Sequence, residues 1–294
     1  MSNLGLYAAS VLIWGSTWLV IKFQLVFVPP MVSVVWRFLL AALLLLGYAL
    51  LKGLPLRYGF RDHLWMAAQG ALLFATNYVL IYFSEQYLVS GLVALVFSLL
   101  VFFNIFGMRI FFAAPIKAAA VLGAGLGVVG VALIFWPEVA GFSLSNNGLL
   151  GLALALAATI FASLGNLVAS RNQRLAIPVV QMNGWAMLYG AGLVAIAAAL
   201  TGQPFQFDWS LSYVLSALYL AVFGSVLAFG AYLTLLGRIG AGRAGYTSVA
   251  IPVVALLLST YFEGLDWQMS MLAGVALCLA GNVLVLRRAK ARET

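Results

Sequence analysis

Charge is what this sequence has least of. Only 7% of its 294 residues are charged, 65% are apolar, and the mean hydropathy is +1.11. A soluble domain carries about 25% charged residues. So little polar surface cannot clothe a water-soluble particle of this size, and a bilayer is the natural solvent. Cysteine is nearly absent as well. Cys278 stands alone, which excludes an intramolecular disulfide and a cysteine metal cluster; it lies in the last apolar run and reads as packing. Histidine occurs once, at His63 beside Arg61 and Asp62, and reads as a loop histidine in a polar link. No Walker-type glycine loop is present, so nucleotide binding has no support. The N-terminal apolar run is long and has no basic segment before it, so it reads as a retained span rather than a cleaved signal peptide.

What is present is a series of long apolar runs. A spanning helix needs ~20 such residues. Ten candidates follow one another: 5–24, 31–51, 64–84, 89–108, 117–136, 148–170, 178–200, 212–236, 243–262 and 270–287. Turn residues or charges separate them, among them Pro29-Pro30, Lys52-Gly53, Ser84-Glu85, Arg171-Asn172, Gly202-Gln203-Pro204 and Asp266. With the N-terminus in the cytoplasm, the links after spans 2, 4, 6 and 8 and the C-terminal tail hold 13 of the 15 basic residues. The net charge of +8 is therefore a positive-inside signal, with both termini cytoplasmic, and not a nucleic-acid signal. Lys22 and Arg37 are the exceptions. Arg37 lies about 10 Å inside span 2 at ~1.5 Å per residue, and a charge at that depth needs a wet cavity, a partner or the interface. Both are read as pathway or gating charges on the outer side, although Lys22 could also snorkel to the interface.

The two halves of the chain repeat. Pro29 and Trp36 recur as Pro178 and Trp185, "GAGLGVVG" (123–130) resembles "GVALCLAG" (274–281), and Tyr82 matches Tyr232, all offset by about 150 residues. Five spans per half is an odd number, so the second half must enter the membrane from the opposite side. The expected fold is an all-α polytopic membrane protein of ten helices in two inverted five-helix repeats, 1–141 and 142–294. Inverted repeats are a build plan of secondary transporters and supply two nearly equivalent packings.

Here the sequence resembles a family. "WGSTWLVIK" in span 1, "PPMVSVVWRFLLAALLL" in span 2, "GRIGAGRAGYTSVAIPVVALLLSTYFEG" across the 8–9 link and span 9, and the glycine-rich ends of spans 5 and 10 are similar to EamA-type members of the drug/metabolite transporter superfamily. The aromatic-rich spans look most like its bacterial aromatic-amino-acid exporters. The family pattern carries a proline and a following acidic residue in spans 4 and 9. Span 9 has Pro252 and Glu263, whereas span 4 has Leu100 and Phe112 at the matching places. The resemblance implies export of small amphipathic metabolites, aromatic or other large neutral amino acids first, by alternating access in the bacterial inner membrane. Multidrug or other metabolite efflux is the alternative.

The substrate-binding candidates are Trp14, Trp18, Asn77, Tyr78, Tyr82, Ser98, Trp185, Tyr232, Tyr246 and Ser248, with Pro252 as a helix kink. Tyr78 and Tyr82 lie one turn apart, and hydroxyls and amides beside aromatic rings suit a solute with a polar end and an apolar body. Gly123, Gly125, Gly127, Gly130, Gly274 and Gly281 read as close-packing seams, and Gly237, Gly240, Gly242 and Gly245 as a turn. No carboxylate lies near the middle of a span, which favours a neutral or zwitterionic solute and leaves the coupling open. An intramembrane enzyme would need paired aspartates, metal ligands or a Ser–Lys dyad at depth; none is found, so no enzymatic activity is expected. Nor is a cofactor or metal expected. The chain is expected to work as a monomer in the lipid bilayer on a small-molecule substrate.

Overall fold

The computed structural model describes residues 1–113, 115–116, 118–136, 147–239 and 247–290, and within them every regular element is helical. Ten helices run through the described residues: α1 (Asn3–Lys22), α2 (Pro30–Leu51), α3 (Phe60–Ser84), α4 (Ser90–Phe112), α5 (Ala118–Ile134), α6 (Asn147–Arg174), α7 (Val179–Leu200), α8 (Leu211–Leu218, continuing through Tyr219–Leu227 to Ala228–Ile239), α9 (Thr247–Phe262) and α10 (Met269–Lys290). Seven are long and apolar enough to cross a bilayer unaided, and α5, α9 and α10 carry shorter apolar runs. The 17 residues of α5 rise about 26 Å, close to the ~30 Å hydrocarbon thickness.

The ends follow local chemistry. Pro30 opens α2 with its fixed φ and no amide hydrogen to waste. Gly53 (φ 64°) ends α2 and Gly202 (φ 68°) ends α7 in the left-handed conformation that glycine adopts without strain. One expectation is corrected here. Gly59 caps α3 and Asp62 sits in its first turn, where the helix dipole favours an acid, so His63 is helical and not in a loop. Its Nδ1 lies 2.8 Å from the Tyr189 hydroxyl, and its ring packs edge-on to Trp185.

The packing has the symmetry of an inverted repeat. α2 pairs with α7 and α5 with α10, each a helix with its own counterpart. α1 packs on α8 and α9; α6 packs on α3 and α4, the same arrangement with the halves exchanged. Two π-helical segments, Gly70–Thr76 in α3 and Tyr219–Leu227 in α8, fall at matching places. The α5–α10 seam is built on glycine. A Cβ on Gly130 would stand 2.6 Å from the Gly274 carbonyl, one on Gly274 2.4 Å from the Gly130 carbonyl, and one on Gly281 2.5 Å from the Gly123 carbonyl. Gly127 instead faces Leu99 and Phe102, and Gly125 meets nothing within 4 Å.

Contacts sort the helix ends. The Arg238 guanidinium donates to the Met1 carbonyl at 2.9 Å, Arg171 lies over the Trp65 ring, and Arg174 over the Phe112 ring. These join the N-terminus and the ends of α4, α6 and α8 into a basic end. Lys22, Glu85 and Glu263 meet at the other, the acidic end.

Candidate functional site

Arg37 is the centre of the site. It is only 2% exposed, on the face of α2 that looks into the bundle. Its guanidinium carbon lies 4.6 Å from the Tyr78 ring centroid and 5.3 Å from that of Phe38. Gly224 borders it: a Cβ there would meet Nη2 at an ordinary 3.5 Å but would press on the Thr17 methyl at 2.9 Å, so the glycine lets α1 and α8 close up beside the guanidinium. Nε and Nη1 have no hydrogen-bond partner, and the ion pair found among the described residues does not include Arg37. A buried unpaired charge costs several kcal/mol, and a cation–π contact returns about 0.5–2 kcal/mol. Arg37 is thus under-compensated where it stands.

Aromatic rings line the neighbouring faces. Trp14 donates from Nε1 to the Gly224 carbonyl at 3.1 Å, within the π-helical segment of α8. Its ring lies 5.1 Å from Phe229 and 5.4 Å from Tyr232. One turn on, Trp18 lies 5.2 Å from Phe97 of α4. Amides stand among these helices with acceptors unspent. Oδ1 of Asn77, Asn104 and Asn282 has no partner, while Asn77 donates to the Leu73 carbonyl at 3.0 Å and Asn282 to Ser98 Oγ at 3.3 Å. Ser98 falls at the break between the two segments of α4 and returns its proton to the Leu95 carbonyl.

A polar seal closes the acidic end. Lys22 Nζ stands 3.5 Å from Glu263 Oε1 and donates to the carbonyls of Glu85 and Leu88. Glu263 accepts from the Ser90 backbone N–H and hydroxyl and from Ser259 Oγ, so α9 caps the start of α4. Beside it, Tyr82 donates to Gln24 Oε1 at 2.6 Å, and Ser33 meets the Tyr213 hydroxyl at 3.1 Å. Glu85, in the link beyond α3, is buried with neither carboxylate oxygen partnered. Burial pushes its carboxyl well above the ordinary carboxylate range; Lys22 opposes this, Glu263 adds to it and Arg37 opposes it. A cleft of about 500 Å³ lies over the seal, lined by Tyr87, Leu88, Val89, Asn147, Leu265 and Asp266.

The structure therefore brings Tyr78 against Arg37, with Trp14 next to it through Gly224 and Asn77 adjoining Tyr78, while Tyr232 packs on Trp14 and Trp18 on Phe97. Lys22 belongs to the seal, and Tyr82 bridges the seal and the Arg37 site, its hydroxyl donating to Gln24 and interacting with the Arg37 guanidinium. Lys22 is held in an ion pair rather than snorkelling alone. Trp185 lies apart at the basic end, where its Nε1 donates to the Leu56 carbonyl at 3.3 Å and its ring stacks on Tyr189. Pro252 is buried within α9. Ser248 is in the first turn of α9, its side chain outside the described residues, and Tyr246 lies outside them altogether, as do Gly240, Gly242 and Gly245. The sequence reading did not single out Gln24, Gly224 or Asn282. Gln24 and Asn282 were visible as isolated amides at or near the ends of apolar runs; Gly224 carried no signal of its own.

The comparisons agree with this architecture. The EamA-like transporter family matches residues 2–136 and again 149–287. The chain is 33% identical over 262 residues to the "Uncharacterized inner membrane transporter YedA" of Escherichia coli (strain K12), covering 88% of this chain and 82% of that protein. It is 27% identical over 309 residues to a "Probable amino-acid metabolite efflux pump" of Salmonella typhimurium (strain LT2), covering 97% of this chain and 94% of the other. A solved crystal structure superposes with a TM-score of 0.69 over 98% of this chain and 99% of its own, at 18% identity, and so shares the fold.

Proposed function

Because the chain belongs to the EamA-like transporter family, we propose that it is a secondary transporter exporting small amphipathic metabolites, above all aromatic or other large neutral amino acids. The observation that carries this is a buried cation flanked by Tyr78 and Phe38, with the Trp14 ring cluster of α1 and α8 next to it, beneath a polar seal at the acidic end of a two-repeat bundle. Aromatic walls favour an apolar or aromatic body, and polar groups among them fix its orientation. The efflux pump of Salmonella typhimurium, similar over nearly its whole length, supports the amino-acid reading.

The basic end faces the cytoplasm by the positive-inside rule, with both termini there, in a bacterial inner membrane. The sealed acidic end then faces outward, and the structure corresponds to a state shut on that side. Alternating access exchanges this packing for its near-equivalent, in which the roles of the halves are reversed. The chain acts as a monomer and needs no catalytic group. The test is counterflow of radiolabelled tryptophan, phenylalanine and leucine in proteoliposomes, with and without a pH gradient. Saturable exchange is expected; no exchange of any of them by folded protein would refute the amino-acid reading.

A further inference from the structure

Arg37 carries a full charge into the bundle, and among the described residues no acidic side chain forms an ion pair with it. The acidic side chains in its surroundings are accounted for. Glu263 is taken by Lys22, Ser90 and Ser259. Glu85 interacts with Arg37 electrostatically, yet both its oxygens lack partners, so the two do not bond. An always-ionised guanidinium with unspent N–H groups at Nε and Nη1 is a receptor for an anion that comes and goes. The surroundings say which anion. Tyr78 and Phe38 flank the guanidinium with ring faces, and Trp14 is anchored on the carbonyl of Gly224, the residue that borders Nη2. A small hydrated inorganic ion gains nothing from such walls, whereas a carboxylate attached to an apolar or aromatic body gains from both. Asn77, buried and adjoining Tyr78, keeps an unspent carbonyl acceptor suited to an ammonium group.

We propose that Arg37 is the carboxylate-binding residue of the transport site, so that the solute must carry a carboxylate beside its apolar body and cationic amines are refused. This rests on the transport reading above and narrows it. An amine lacking the carboxylate leaves Arg37 buried and unpaired and brings a second positive charge next to it, so discrimination is strong.

The test is competition against labelled tryptophan counterflow by tryptophan, indole-3-propionate and tryptamine in wild-type proteoliposomes, repeated with Arg37→Lys and Arg37→Gln. Indole-3-propionate is expected to compete, and tryptamine to be weaker than tryptophan by about 10-fold or more. Arg37→Lys should keep the order with lower affinity, and Arg37→Gln should bring tryptophan and tryptamine together. Equal competition by tryptamine in the wild type, which needs no variant to fold, overturns the proposal, as does an undiminished preference in Arg37→Gln. Exchange of labelled tryptamine without exchange of tryptophan sinks this inference and leaves a transporter; exchange of neither sinks the amino-acid reading with it.

Discussion

Lys22 and Glu263 form an ion pair at 3.5 Å that joins the last turn of α1 to the end of α9. Its counterpart in the other half, about 150 residues displaced, is a different interaction: the Arg174 guanidinium lies 4.3 Å from the Phe112 ring centroid. One end of the bundle is thus latched by opposite charges and the other by a cation on an aromatic face. The glutamate also takes both hydrogen bonds from the Ser90 amide and hydroxyl, so the latch and the helix cap are one group.

Glu263→Gln should therefore loosen the acidic end. Hydrogen bonds to a charged group contribute about 1.5–3 kcal/mol, and part of that is lost here because Lys22 is partly solvated. Labelling of a cysteine introduced at Leu88, in a Cys278→Ser background, by an impermeant maleimide should accelerate by about tenfold. An unchanged rate would show that the pair does not hold the seal.

Phe112→Glu would give the basic end an ionic latch of its own beside Arg174. An exposed pair is worth about 0.2–1 kcal/mol, enough to shift a two-state balance by a small factor. Counterflow should fall about twofold to fivefold, with faster labelling of the acidic-end reporter as the packing shut at the basic end gains population. A faster exchange would contradict the assignment of Phe112 and Arg174 as the matching latch.

Glu85 links the seal to pH. Its carboxyl is raised by burial, and the charged or titratable groups facing it are Lys22 of α1, Arg37 of α2, Tyr82 of α3 and Glu263 beyond α9. The sealed state binds a proton there more tightly than an opened, hydrated one. Sealing is fully favoured below the ordinary glutamate range and is lost as pH rises through the raised value. Acidifying that side should slow labelling of the Leu88 reporter, and Glu85→Gln should flatten the dependence. A pH profile identical in the variant would remove Glu85 from the seal.

The glycine seam gives a stability test with an internal control. Gly274→Ala places a methyl 2.4 Å from the Gly130 carbonyl and should destabilise by about 1–3 kcal/mol. Gly125→Ala meets open space and should be neutral or gain up to about 1 kcal/mol in helix propensity. Thermal unfolding in detergent, followed by Cys278 reactivity in the α5–α10 seam, separates the two. Equal midpoints would mean that the helices do not touch there.

Orientation is checked with reporter fusions. Fluorescent-protein tags at either terminus should glow and alkaline-phosphatase tags should stay inactive, since Met1 and Arg238 meet at the basic end. Tags on opposite faces would be incompatible with ten spans.

Much of the frame was readable before any coordinates. The span expected at 31–51 is Pro30–Leu51, and that at 178–200 is Val179–Leu200, because prolines and left-handed glycines mark those ends locally. The start of α3 came four residues early because its first turn, Phe60–His63, is polar and looks like a link. Arg37 stood out as a charge at the wrong depth, a signal that composition alone supplies. What surrounds it was not readable. Gly224 comes from the far half of the chain, and its role is a missing Cβ. Trp185 carries the same aromatic signal as Trp14 yet packs at the opposite end, since periodicity reports that a ring is buried and not where. Glu85 is an acid in a short link, which reads as exposed; only the packing of α1 and α4 over it buries it.

The widened turns of α3 and α8 have a consequence for chain length. A π-helical turn swallows one extra residue while the stretches before and after it keep their angular phase. Loss of a single residue within Gly70–Thr76 would restore an ordinary helix and leave Tyr78 facing Arg37, whereas the same loss just beyond it would swing everything downstream by about 100°. These two segments are where the protein can absorb a change in length that its other spanning helices cannot.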